Sequence, residues 1–387
     1  MKVLFYSALS LRFGGGFERW MLEVVSHLKK RGVSSIIVCT KSIIEDVERI
    51  SNQQIQETLN KASAEYFELP YHSLHIAASN SPIPRVTELN RHVRDCDIVY
   101  FSNAYAFQDL MICLLKLIQR KPVISGQHST LFSDSRPHNI YINTLGKKLL
   151  NHFDVCHVLN SNDLHFFKKW GLKRVCLIPP GINTQIFKPM DHVRRHIKFK
   201  VLFVGRLTSQ KGIDVLCRSI EIFNKTNDEF SRNVDFVIVG SGPLESLVQK
   251  LNKRYTNVKY LGAVPQKTLH EIYGSCDLFL MPSRRETFGN VALEAQAYGL
   301  PVIASDIPGP SDIIIDGVTG TLLREKSVKA LISAINMYYR LWFQDYEKYR
   351  EIFMNARQNA MKYDWRNVSK RLYDMLVNVY RDRGSSD

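Results

Sequence analysis

The sequence predicts an α/β protein with parallel sheets covered by helices, divided into two domains. Short apolar runs alternate with amphipathic segments along the whole chain, the pattern of strand–helix–strand units. The length of 387 residues suits two domains of ordinary size, each able to bury its own core. A polar stretch from Asp191 to Lys198 separates them and is the linker candidate.

The elements follow in chain order. Met1–Ser10 reads as a first, buried strand. Its apolar start could pass for a secretory leader, but Arg12 and three glycines stand where a small-residue cleavage site would lie. A helix is expected from Gly16 to about Lys30, with Trp20, Val24, Val25 and Leu28 on one face. Ser34–Thr40, Ile98–Ser102 and Val123–Ser125 complete the strands expected of the first domain. Lys200–Val204, Asp235–Val239, Val258–Leu261, Leu278–Met281 and Val302–Ser305 are the strands expected of the second. The final run, Trp365–Arg381, is amphipathic.

Composition narrows the class. With 45% hydrophobic and 23% charged residues, the chain reads as a soluble globular protein. No apolar run approaches the ~20 residues of a membrane span. Seven cysteines are scattered singly, without a Cys-x-x-Cys pair, so buried thiols in a reducing compartment are expected rather than a zinc site. The net charge of +15 is uneven: residues 101–190 carry 11 Lys and Arg against 4 Asp and Glu. Lys147-Lys148, Lys168-Lys169 and Lys173-Arg174 lie there among Leu149, Leu150, Phe153, Phe166, Phe167 and Trp170. Basic residues beside exposed aromatics suit an anionic membrane surface; a solvated basic face with its aromatics turned inward is the alternative. No nucleic-acid module is visible, and nucleic acid is not expected as a partner.

Residues 277–301 carry the chemistry. Asp277-Leu-Phe-Leu-Met-Pro-Ser283 reads as a short strand ending in a turn, and Ala292, Leu293, Ala295 and Ala297 as a packed helix stopping at Gly299 and Pro301. Glu286 then lies in the strand-to-helix loop, and Glu294 about two turns into the helix. Unpaired amides and the positive dipole end at the helix start between them suit phosphate. Carboxylates on both sides of an anion site match a ligand with hydroxyls on both sides of a diphosphate, as in a sugar nucleotide. Asp95-Cys-Asp97 matches a metal-binding Asp-x-Asp pattern, but it precedes a strand away from this loop and is taken as chance.

Further motifs surround that loop: Val201-Leu-Phe-Val-Gly-Arg-Leu-Thr-Ser-Gln-Lys-Gly212, Phe236-Val-Ile-Val-Gly-Ser-Gly-Pro243, Ile178-Pro-Pro-Gly-Ile-Asn183, Phe187-Lys-Pro189 and the helix after Trp365. With the Glu-x7-Glu loop they resemble glycosyltransferase family 4, retaining enzymes that use nucleotide sugars and have the GT-B fold. The resemblance covers nearly the whole chain and is densest from about residue 176 to 323.

The resemblance implies two Rossmann-like domains with a cleft between them. Residues 1–190 would form the acceptor side, 198–363 the nucleotide-sugar side, and 364–387 a helix crossing back to the first domain. It assigns Arg206 and Lys211 to the diphosphate, Glu294 to the ribose hydroxyls and Glu286 to the transferred sugar. Phe288, Gly289, Asn290 and Val291 would contact sugar and phosphate, and Gly262 and Val264 would frame the base beside the Gly240-Ser-Gly242 turn. In the first domain, Gly15 and Gly16 open a helix whose amides can hold an anion, unless the triple glycine is a flexible connector. His128, in Gly126-Gln-His-Ser-Thr130, would align the donor sugar or serve only as a structural histidine. Metal-independent chemistry without a bound cofactor is expected.

The function implied is front-face transfer of a hexosyl-type unit from a UDP- or GDP-linked sugar to a glycan or lipid-linked acceptor in cell-envelope polysaccharide or glycoconjugate synthesis. The setting would be cytoplasmic, with peripheral membrane attachment tied to the basic segment. The rivals are a nucleotide-sugar epimerase of the same fold and a catalytically silent glycan- or membrane-binding protein.

Overall fold

Runs rich in Val, Ile, Phe and Tyr form strands buried on both faces, as parallel sheets covered by helices require. The computed structural model describes residues 1–42, 50–76, 79–102, 106–129, 136–189, 197–226, 228–325 and 327–384. Residues 191–196 of the linker candidate, and Thr130, lie outside them.

The chain divides into two units. Unit 1 comprises Met1–Pro180 with Arg366–Asp387. Its strands are β1 (Lys2–Ser7), β2 (Ser34–Thr40), β3 (Glu65–Leu69), a separate antiparallel pair β4 (Tyr71–Ile76) and β5 (Ser79–Pro84), then β6 (Ile98–Ser102), β7 (Val123–Gln127), β8 (Val155–Val158) and β9 (Val175–Leu177). The main sheet is parallel in the order β3-β2-β1-β6-β7-β8-β9. β1 pairs with β2 from Lys2↔Ser34 to Ser7↔Cys39 and with β6 from Val3↔Ile98.

Unit 2, Gly181–Trp365, has a parallel sheet of β10 (Phe199–Val204), β11 (Val234–Val239), β12 (Val258–Tyr260), β13 (Leu278–Met281), β14 (Val302–Ser305) and β15 (Gly320–Leu323). Its order is β12-β11-β10-β13-β14-β15. Both sheets reverse their winding beside their first strand, between β1 and β6 and between β10 and β13. At such a switch point the loops leave the strand ends in opposite directions and open a crevice for ligands.

Three aspartates repeat one device. Asp97 precedes β6, and its carboxylate accepts the Lys2 amide at 2.7 Å while its own amide donates to the Lys2 carbonyl. Asp154 does the same for Val123 (2.7 Å) and Asp277 for Lys200 (2.8 Å). Asp97 thus has a structural task at the start of β1.

The helix Trp365–Gly384 docks on unit 1, where Val368, Leu372, Met375, Leu376 and Val379 are buried. Arg31 donates to the Arg366 carbonyl, Arg371 to the Leu177 carbonyl, and Arg174 pairs with Asp382. All seven cysteines are free thiols, and all but the half-buried Cys176 are buried.

Of the two readings of these aromatics, exposed beside the basic residues or turned inward, the structure shows the second. Leu149, Leu150, Phe153 and Phe167 are buried, and Phe166 and Trp170 pack against the same core. Lys147 lies over the Trp170 ring at 5.6 Å. The exposed apolar side chains of this segment include Phe107, Leu110, Leu114, Leu117 and Ile118 on the helix Ala106–Gln119, with Ile140, Leu145 and Ile186 outside it. The spacing of those on the helix sets them on one face. Among the described residues no helix is long and apolar enough to cross a membrane.

Candidate active site

In unit 2 the switch point brings together the loops that follow β10 and β13. After β10 the chain passes Arg206, which is exposed, and tightens into a 3-10 turn at Ser209–Lys211 capped by the Thr208 hydroxyl. Gly212 closes this turn at φ 73°, and a Cβ there would lie 1.9 Å from the Pro282 carbonyl oxygen. The two loops therefore touch backbone to backbone, a contact open only to glycine.

That contact sets Lys211 against Glu286. Lys211 Nζ pairs with Glu286 Oε1, which also accepts from the Ser283 hydroxyl at 3.2 Å. The Glu286 side chain is only 9% exposed, so its charge is held by partners rather than by bulk water. On the solvent side, Arg284 ties the loops together. It donates to both carboxylate oxygens of Asp214, at 2.6 and 2.5 Å, and to Ser209. This fork holds the Asp214 carboxyl below its ordinary range.

Gly289, at φ 102°, caps the helix Asn290–Ala297, with Phe288 buried before it. Asn290 is exposed and Val291 half-buried in the first turn, so the helix start faces outward where amides lack intrahelical partners. Glu294 lies one turn into the helix rather than two, because the helix starts only at Asn290, and its Oε2 accepts from the Tyr273 hydroxyl at 3.0 Å. Tyr273 is fully buried and stacks on Tyr298, with centroids 5.4 Å apart, so the ring that aims this hydroxyl has little freedom. Burial first, and then the Glu294 charge, hold its phenol well above the ordinary range. Beside this group, a Cβ on Gly240 would meet the Gly205 carbonyl at 1.8 Å, and the Gly240 amide donates to the Gly262 carbonyl at 2.8 Å. The turns after β10, β11 and β12 are thereby stacked, with Val264 half-buried just beyond.

Unit 1 sets a second group of residues at its own switch point. The helix Gly16–Lys29 starts behind Gly15, but its first turn already holds a carboxyl. Glu18 is buried, accepts from the Ser7 hydroxyl at 2.9 Å and from the Gly15 amide, and is raised in pKa by burial. A Cβ on Gly15 would lie 2.6 Å from Glu18 Oε2, whereas Gly16 is open. His128 follows β7, half-buried between Phe17 and Trp20, with both ring centroids 4.6 Å away. Its Nε2 lies 2.8 Å from the Tyr100 hydroxyl.

Sequence reasoning missed Tyr100, His157, Tyr273, Ser283 and the Arg284–Asp214 fork. The available signal was a polar group inside an otherwise apolar strand, as with His157 in Val155–Val158. Among the described residues no group of three or more His, Cys, Asp or Glu is placed to hold a metal ion.

Comparison with known proteins bears on this geometry. A family model described as Glycosyltransferase Family 4 matches residues 14–186, and one described as Glycosyl transferases group 1 matches residues 187–359. An uncharacterized glycosyltransferase of Methanocaldococcus jannaschii is 32% identical over 302 residues, covering 69% of this chain and 71% of that protein. A D-inositol 3-phosphate glycosyltransferase of Acidothermus cellulolyticus is 31% identical over 54% of this chain, and the match spans 48% of its length. Among solved structures, Anabaena HepE in complex with UDP and glucose superposes with a TM-score of 0.75 at 18% identity, covering 97% of this chain and 99% of that one. Two Rossmann-like units with these structural neighbours define the GT-B fold. The chain belongs to glycosyltransferase family 4.

Proposed function

We propose that the chain is a retaining, metal-independent transferase that moves a hexosyl unit from a nucleoside diphosphate sugar to a glycan or lipid-linked acceptor. The observation that carries this reading is the pair of carboxylates astride the helix start after Gly289. Glu286 is held by Lys211 and Ser283, and Glu294 is aimed by Tyr273. A diphosphate at the helix start would meet the positive dipole end, with Lys211 and Arg206 to neutralise the charge that grows as the glycosidic bond breaks. Glu294 would accept from the ribose hydroxyls and Glu286 from the hexose. Phe288, Gly289, Asn290 and Val291 would line the sugar and phosphate, and Gly262 and Val264 the base. The Gly16 amide can serve an anion in unit 1, whereas the Gly15 amide is already given to Glu18. UDP is the first donor nucleotide to try, since HepE has been solved with UDP and glucose. An acceptor in cell-envelope glycan synthesis, at the cytoplasmic face of a membrane, fits the basic charge of residues 101–190 and the apolar stripe beginning at Phe107.

The test is calorimetric binding of UDP, GDP and ADP to the wild type and to Glu294→Ala. Binding of one nucleotide, lost in the variant, is expected and names the donor class. Absence of binding by all three to folded protein would overturn the reading.

A further inference from the structure

Side chains of β6, of β8 and of the residue after β7 form one line of hydrogen bonds that ends on a backbone carbonyl. His157 Nε2 lies 2.7 Å from the Ile178 carbonyl oxygen. The Tyr100 hydroxyl lies 2.6 Å from His157 Nδ1 and 2.8 Å from His128 Nε2. A carbonyl oxygen only accepts, so His157 Nε2 carries a hydrogen. Burial keeps this imidazole neutral, its pKa pushed down to about 4, and its Nδ1 is then a lone pair. Tyr100 must donate to that lone pair. Its one proton is thereby committed, and its oxygen accepts from His128 Nε2–H. Burial, and then His157, hold the His128 pKa well below the ordinary range, so the ring has a single hydrogen, and Nδ1 is left as an acceptor.

We propose that Tyr100 and His157 are positioning residues that fix His128 in its Nε2–H tautomer, so that Nδ1 accepts a hydrogen bond from a hydroxyl of the sugar substrate. This rests on the reading of His128 as a site residue. It also narrows that role. A neutral imidazole with only Nδ1 to offer selects a hydroxyl donor, and it has neither proton nor charge for a phosphate oxygen. The surroundings reserve space for the line. A Cβ on Gly126 would lie 2.3 Å from the Tyr100 hydroxyl oxygen and 2.9 Å from His128 Cδ2. Phe17 and Trp20 hold the plane of the imidazole.

The test is nitrogen NMR of the histidine side chains in the full-length protein, labelled with 15N. In the wild type, His128 and His157 are both expected with a protonated-type Nε2 shift and an unprotonated-type Nδ1 shift. Tyr100→Phe keeps the ring but removes the hydroxyl, and is expected to let His128 populate the Nδ1–H form. His157→Gln retains an acceptor for Tyr100 and a donor for Ile178, and should keep the His128 tautomer; His157→Leu should lose it. An Nδ1–H His128 in the wild type, or a tautomer indifferent to Tyr100→Phe, overturns the relay. With a sugar donor, Tyr100→Phe should lower kcat by about tenfold or more at unchanged nucleotide affinity. Unchanged turnover in His128→Ala would overturn the contact with the sugar hydroxyl. Failure of the transferase reading would register separately, as absent nucleotide binding, without altering the tautomer result.

Discussion

Lys211 and Glu286 hold opposite charges together in a place with little solvent, and the pair is tuned by its neighbours. Ser283 gives Glu286 a second donor, so the carboxylate does not depend on Lys211 alone. A diphosphate arriving at the helix start would compete with Glu286 for the ammonium, and Lys211 would be shared between them. Lys211→Ala is therefore predicted to lower turnover by roughly 10²-fold or more while the fold persists. Steady-state kinetics with the donor identified by calorimetry, alongside a melting curve, would check this. A loss of less than threefold would remove Lys211 from the chemistry. The two glutamates themselves were legible in the sequence, because their spacing about a Gly-capped helix is local. Tyr273 and Ser283 were not legible as their partners. Tyr273 reaches Glu294 only after two separate elements have packed.

The elements that position the site depend on close backbone approaches and on buried carboxylates at strand starts. At Gly212 an added methyl would strike the Pro282 carbonyl. Gly212→Ala should cost on the order of 1–3 kcal/mol in denaturant unfolding and loosen the loop that holds Lys211. Asp277 shows the cost of a buried strand-start carboxylate. Burial pushes its pKa up from 3.8 to about 7, against the lowering effect of the Lys200 amide, the Lys200 charge and Trp342. A raised carboxyl pKa means that the folded state binds the proton more tightly than the unfolded chain. Its contribution is complete below pH 3.8 and is lost as pH rises towards 7. Asp277→Asn keeps an acceptor for the Lys200 amide, so it is expected to flatten that fall and raise the melting temperature at pH 8. Melting curves from pH 4 to 8 would decide, and a slope as steep as the wild type's would refute it. The long central strands were legible because they are continuously apolar. β3, β8, β9 and β15 escaped notice: they are three to five residues long, and β3, at a sheet edge, sets Tyr66 and Phe67 side by side between two glutamates rather than alternating apolar with polar.

Across the whole molecule, two surface features call for measurement. The stripe Phe107, Leu110, Leu114, Leu117 and Ile118 lies in a segment rich in Lys and Arg, which suits an anionic lipid surface. The wild type is expected to sediment with phosphatidylglycerol-rich vesicles and to be released by salt. Leu117→Glu with Ile118→Glu should weaken that binding about tenfold; equal binding by the double variant would assign the stripe another partner. The second feature is the helix Trp365–Gly384. A chain ending at residue 365 would bare the core positions that Val368, Leu372, Leu376 and Val379 cover in unit 1. Such a truncation should lower the melting temperature of unit 1 and leave nucleotide binding by unit 2 largely intact. Differential scanning calorimetry with and without UDP would separate the two, and a uniform loss of both would contradict this division. The amphipathic pattern of the last run was legible in the sequence, but the surface it covers lies far away along the chain.

The return of that helix also fixes an order of events at the ribosome. Unit 2 is one uninterrupted stretch, Gly181–Trp365, and every residue it needs has been synthesised once Trp365 is joined. Unit 1 begins before unit 2 but is finished after it, because part of its cover follows Trp365 in the chain. For the time taken to make residues 181 to 365, its growing sheet has apolar surface that no part of the nascent chain can yet cover. During that interval unit 1, rather than unit 2, is the part expected to meet chaperones or to aggregate.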